Sequence, residues 1–162
     1  MKKVVLLTAL AFSAVALKAQ DMGVKTKGKT TFGIGANVGT GTKTNLSTSY
    51  GVDGQVEIPA GTGFKVTGSA GYQNFGVKVG EDVSFIPVLA GGKIAIGKGL
   101  YGHPQVGYSF LTNKVAGSNQ NNGEFTYAAS VGYGFAKNFD ASVKYLSVDA
   151  ANAVLLRLAY NF

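Results

Sequence analysis

This sequence has no cysteine, no tryptophan, one histidine and three prolines. The absence of cysteine removes disulfide scaffolds and cysteine-based zinc clusters. Beyond residue 17 no apolar run approaches the ~18–20 residues that a membrane helix needs. Only a closed barrel of strands could therefore carry this backbone through a bilayer. After the N-terminal segment no helical periodicity of comparable length competes with the strand pattern. What the chain has in abundance is glycine, 24 of 162 residues. It follows no collagen-like triplet and alternates with β-branched and aromatic residues, as in G-I-G-A-N-V-G and V-G-Y-G-F.

The chain opens on a processing segment. Lys2 and Lys3 give a basic start, Val4 to Leu17 an apolar stretch, and Ala19-Gln20 a cleavage point. Residues 1–19 are expected to be a signal peptide, 20–29 a short polar periplasmic leader, and 30–162 a single barrel domain. Removing 1–19 takes away Lys2, Lys3 and Lys18, and the formal charge falls from +7 to +4. That balance, together with export, argues against a nucleic-acid partner.

The last ten residues set the pattern. Val154, Leu156, Leu158, Tyr160 and Phe162 occupy one face of a strand, and Leu155, Arg157, Ala159 and Asn161 the other. Two-residue alternation recurs near 30–39, 49–58, 63–73, 83–96, 100–111, 124–135 and 139–147. The expectation is all-β, an antiparallel up-and-down barrel of eight strands. Its connections alternate in length: 40–48, 74–82 and 112–123 are long, with 148–152 a modest member of that side, whereas 59–62, 97–99 and 136–138 are short. Within 74–82, Phe75, Val77 and Val79 could extend the strand into a protruding ribbon.

Outer-membrane barrels have long external loops and short periplasmic turns. In that orientation Tyr50, Tyr72, Tyr108, Phe110, Phe125, Tyr127 and Tyr145 lie near the outer rim, all on the apolar face. Phe32, Phe64, Tyr133, Phe135, Phe139, Tyr160 and Phe162 lie near the periplasmic rim on the same face. Two aromatic girdles around an aliphatic band suit a bilayer with two interfaces. A soluble barrel has no reason to sort its aromatics by height.

The alternating strands, F-I-P-V-L-A-G-G, G-K-G-L-Y, Q-V-G-Y-S-F and the terminal L-A-Y-N-F together resemble the small eight-stranded outer-membrane β-barrel family, porin-like and of the OmpX/OmpA type. The resemblance covers nearly all of the chain after the signal. It implies an outer-membrane location, contact with outer-membrane lipid, and delivery by the barrel assembly machinery. The C-terminal strand, with Tyr160 and Phe162, would be the insertion signal. Pro87 and Pro104 depart from the pattern, because each removes a donor from a ladder without edges. A bulge or gap is expected at both.

An eight-stranded barrel is just wide enough for side chains to fill it. The inward set includes Asp53, Glu57, Lys65, Lys93, His103, Glu124, Asp140, Lys144 and Arg157. These could satisfy one another as ion pairs, since an unpaired buried charge is costly, or they could line a path for ions or protons. Counting about the turns places Glu57 opposite Lys65, Lys93 opposite His103, and Lys144 opposite Arg157. The sole histidine has no serine and acid at recognisable spacing, so no catalytic site, cofactor or metal is expected. Three functions fit: a structural or adhesion-type surface protein meeting an extracellular partner through loops 40–48, 74–82 and 112–123; a narrow porin-like channel; or a soluble exported barrel for a lipophile, which the girdles oppose.

Overall fold

A computed structural model describes residues 28–78, 82–112, 123–148 and 151–162. The expected signal peptide, 1–19, and residues 20–27 of the expected leader lie outside them. The described residues form eight strands: β1 Thr31–Gly41, β2 Leu46–Gly61, β3 Phe64–Val77, β4 Val83–Ala95, β5 Leu100–Leu111, β6 Glu124–Gly134, β7 Phe139–Val148 and β8 Ala151–Asn161. Each pairs antiparallel with its neighbours in sequence, and β8 returns to pair with β1, closing the barrel. Closure leaves no strand edge unpaired. Strands of about eleven residues, rising ~3.3 Å each and tilted ~40°, give a wall about 28 Å high, enough for the ~25 Å apolar band of a membrane barrel.

The wall is turned inside out relative to a soluble protein. Ile34, Val38, Val52, Val106, Val131, Val143, Leu156 and Leu158 are exposed on its outer face. Buried residues alternate with them, as in β8, where Ala153, Leu155, Arg157 and Ala159 all point inward. The aromatics sort as the sequence implies. Tyr108 meets Phe125 and Tyr127 meets Tyr145 toward the long-connection end. Phe135, Phe139, Tyr160 and Phe162 form a chain of ring contacts at the short-turn end.

Two expected loops are shorter than the sequence suggests. Segment 40–48 is largely paired strand, with Thr40 opposite Thr48, and 42–45 alone connects β1 to β2. In segment 74–82, β3 continues to Val77, and 78 and 82 flank residues outside the description. The serine, threonine and asparagine that read as loop are also tolerated in a strand whose neighbours supply a ladder. Here Lys78 N donates to Asn45 O at 2.9 Å and Thr42 N to Asn152 O at 2.8 Å, binding the connection on both sides. Of the loop 112–123, residues 113–122 lie outside the described set.

Two of the three counted pairings shift by two residues. Glu57 stands opposite Thr67, not Lys65, because β2 runs past Pro59 to Gly61 before turning at 62–63. A register irregularity between Pro59 and Gly61 absorbs a residue there, and Gly63 takes the positive φ of 74° that the turn requires. Lys144 stands opposite Leu155, and Arg157 opposite Ser142, since β7 and β8 both reach further than 147 and 153. Lys93 is level with His103, bracketed by the pairs Gly91↔Gln105 and Ile94↔Gly102. The prolines behave as anticipated: pairing with β3 lapses at Pro87, and pairing of β5 with β4 lapses at Pro104. Each proline pairs normally on its other side, with Ser109 and Ala129 respectively.

Candidate functional site in the barrel interior

The interior has two layers. Toward the short turns, alternation brings Asp53 and Glu57 of β2, Lys65 of β3, Lys93 of β4, Asp140 of β7 and Arg157 of β8 into one polar network. Arg157 grips Asp53 in a fork: Nη2 donates to Oδ1 at 2.6 Å and Nε to Oδ2 at 2.9 Å. Such paired bonds fix geometry as well as charge. Asn37, level with Arg157 on β1, donates to the same carboxylate at 2.7 Å. The network continues through Arg157 Nη1, 3.7 Å from Asp140 Oδ1.

Asp140 is held from three sides. Tyr101 Oη donates to it at 2.6 Å, Asn161 Nδ2 at 2.9 Å, and Lys93 Nζ lies 3.5 Å away. Lys93 also donates to Glu57 Oε1 at 2.7 Å and sits 4.0 Å above the Tyr101 ring, a cation–π arrangement. Glu57 accepts further bonds from Lys65 at 2.7 Å and Gln55 at 2.9 Å. So Glu57 and Lys65 do form an ion pair, reached diagonally rather than directly across the strands. Asp53, Glu57 and Asp140 each hold at least one base, which offsets the cost of burial.

The remaining sequence-singled residues fall elsewhere. His103 Nε2 is 2.7 Å from Thr67 Oγ1, which stands level with Gly91 of the intervening β4. Lys144 is buried level with Ser130 and Leu155, outside the ion-pair chain. Glu124 is half-buried at the opposite end, level with Ser109, and joins no ion pair among the described residues. Tyr160 is half-buried and Phe162 exposed on the outer face, in ring contact at 5.0 Å. Asn37, Gln55, Thr67, Tyr101 and Asn161 are members that a search for charge passes over. Their strand parity was the signal that could have found them.

The second layer, toward the longer connections, is apolar. Phe75, Phe85, Leu89, Ala128, Leu146, Val148, Ala151, Ala153 and Leu155 form one buried cluster. Phe75 and Phe85 meet edge to face at 5.7 Å. Phe75 was expected in a loop or a protruding ribbon, and it packs into the interior instead. The interior is thus filled at two levels: below by paired charge, above by the apolar cluster and the buried Ser49, Gln73 and Thr126 that stand opposite its members.

No protein-family model matches this sequence, and no curated protein does. Solved structures do. A de novo designed transmembrane β-barrel is similar with a TM-score of 0.57 at 17% identity, over 82% of this chain and 95% of its own. Ail, the attachment invasion locus protein of Yersinia pestis, gives 0.55 at 18% identity, over 85% of this chain and 100% of its own. The N-terminal β-barrel domain of OprF from Pseudomonas aeruginosa gives 0.53 at 18%, over 82% and 97%. The chain has the fold of the small eight-stranded outer-membrane β-barrels.

Proposed function

We propose that this chain is an integral outer-membrane β-barrel whose role is structural or surface-interacting, of the adhesion type, and not conduction. The observation that carries this reading is an interior filled at two levels. Phe75, Phe85 and Leu155 are each at most 1% exposed, which supports an interior filled by side chains above the ion pairs. With the interior occupied, the surfaces left for work are the apolar belt and the two rims. The belt and its girdles support a place in a bilayer. Ail, by its name an attachment invasion locus protein, has a similar fold, which supports an adhesion-type reading. An extracellular partner would be met by the 42–45 connection and by loops 78–82 and 112–123. No catalytic role, cofactor or metal enters this proposal.

Planar-bilayer recording tests it. The folded protein should show no discrete conductance steps, and a variant with Phe75→Ser and Phe85→Ser should stay silent too, because the charged layer below still fills the interior. Well-defined steps from the unmodified protein would favour the narrow porin-like channel instead.

A further inference from the structure

The short-turn rim carries a charge pattern that the interior network does not use. Lys29 precedes β1, Lys98 is the tip of the β4–β5 turn, and Lys137 lies in the β6–β7 turn; all three are exposed. Lys65 stands just above the β2–β3 turn, its side chain 42% exposed and already paired to Glu57. No acidic side chain remains at this rim among the described residues to neutralise them. Glu57 and Asp140, the nearest acids by position on their strands, are turned inward and hold Lys65, Lys93, Arg157 and Tyr101. The opposite rim is mixed, with Lys43 and Lys78 accompanied by Asp82 and Glu124.

Position relative to the apolar belt gives these lysines a chemistry. Lys98 lies two residues from Ile96 and from Leu100, and Lys137 two residues from Phe135 and from Phe139; all four neighbours are exposed on the outer wall. Lys29 is three residues before exposed Phe32. Each ammonium therefore sits at the end of a flexible stem, just beyond the hydrocarbon-facing girdle. At that depth a lysine meets phosphate groups, and its stem can lie along the apolar edge.

We propose that this rim is a basic collar that binds the anionic headgroups of phospholipids, with Lys29, Lys98 and Lys137 as its contacts. The proposal rests on the barrel spanning a bilayer with its short turns on the periplasmic side. The collar enriches anionic lipid around the lower girdle and fixes the depth at which the barrel sits.

The test uses the protein folded in detergent and moved into nanodiscs of equal parts phosphatidylcholine and phosphatidylglycerol, with native mass spectrometry counting retained lipids. The unmodified protein should retain phosphatidylglycerol over phosphatidylcholine by about two- to fivefold. The triple variant Lys29→Gln, Lys98→Gln, Lys137→Gln should lose that preference, and Lys43→Gln with Lys78→Gln on the other rim should keep it. No preference in the unmodified protein, or equal loss in both variants, overturns the collar. So does binding to purified peptidoglycan that only the triple variant loses, without any lipid preference, since the partner is then an acidic wall polymer. A protein that enters no nanodisc contradicts the membrane reading itself, an outcome distinct from a folded, inserted barrel without lipid preference.

Discussion

Arg157 is the hinge of the interior's chemistry, and its setting is built for it. Gly35, level with Asp53 on one side and Ala159 on the other, keeps the space beside the guanidinium clear. A Cβ at Gly35 would lie 2.7 Å from two guanidinium nitrogens of Arg157. Gly132 does the same for the Tyr101 ring, which a Cβ there would overlap. Replacing Arg157 with methionine would leave Asp53, whose side chain is 8% exposed, with Asn37 as its side-chain hydrogen-bond donor among the described residues. The expected loss is about 3–5 kcal/mol of stability, read by urea unfolding of the lipid-inserted barrel. A loss near zero, with measurable ion conductance, would mean instead that the site is hydrated and that Arg157 lines a pore.

At the scale of the strand, β8 combines both faces of the argument. Its inner face supplies Leu155 to the apolar layer and Arg157 to the network, while Leu156 and Leu158 face outward. Phe162 follows the strand, with its amide donating to Phe32 O at 2.7 Å and its ring against Tyr160. Removing one terminal residue costs the barrel little of this ladder. Deleting Phe162, or replacing it with a charged residue, should therefore lower the outer-membrane level severalfold while folding in detergent changes little. Equal levels for variant and parent, measured on fractionated cells, would remove the insertion-signal assignment. β6 was the strand most legible in the sequence, because Phe125, Tyr127, Ala129, Val131 and Tyr133 alternate with polar or small residues; β8 alternates on its outer face. β3 was the least legible at its end: Phe75 keeps the inward parity of Thr67, Ser69 and Gln73, but polar Gln73 and Asn74 just before it hide that the strand runs on.

Over the whole molecule, strand number, inward and outward parity, and both girdles could be read from alternation, since a two-residue period leaves each side chain one of two faces. Register could not be read as well. It depends on turn length to the residue, and the irregularity at Pro59–Gly61 moved the partner of Glu57 from Lys65 to Thr67. The ion pair survived because long side chains reach diagonal neighbours. The division of the interior into a charged and an apolar layer was hidden for a related reason. It is a property of height, which emerges only when eight tilted strands are set side by side.

The central claim is a barrel that crosses the outer membrane with its short turns inside, and cysteine labelling on intact cells tests it most directly. The sequence has no cysteine of its own, so single introductions report without background. Asn45→Cys, in the connection between β1 and β2, and Asn121→Cys, in the loop 112–123, should both react with an impermeant thiol reagent. Lys98→Cys should react only after the outer membrane is opened. Labelling at 98 on intact cells with protection at 45 and 121 would show the topology inverted, and labelling of all three only in a soluble periplasmic fraction would show that the chain does not span the membrane.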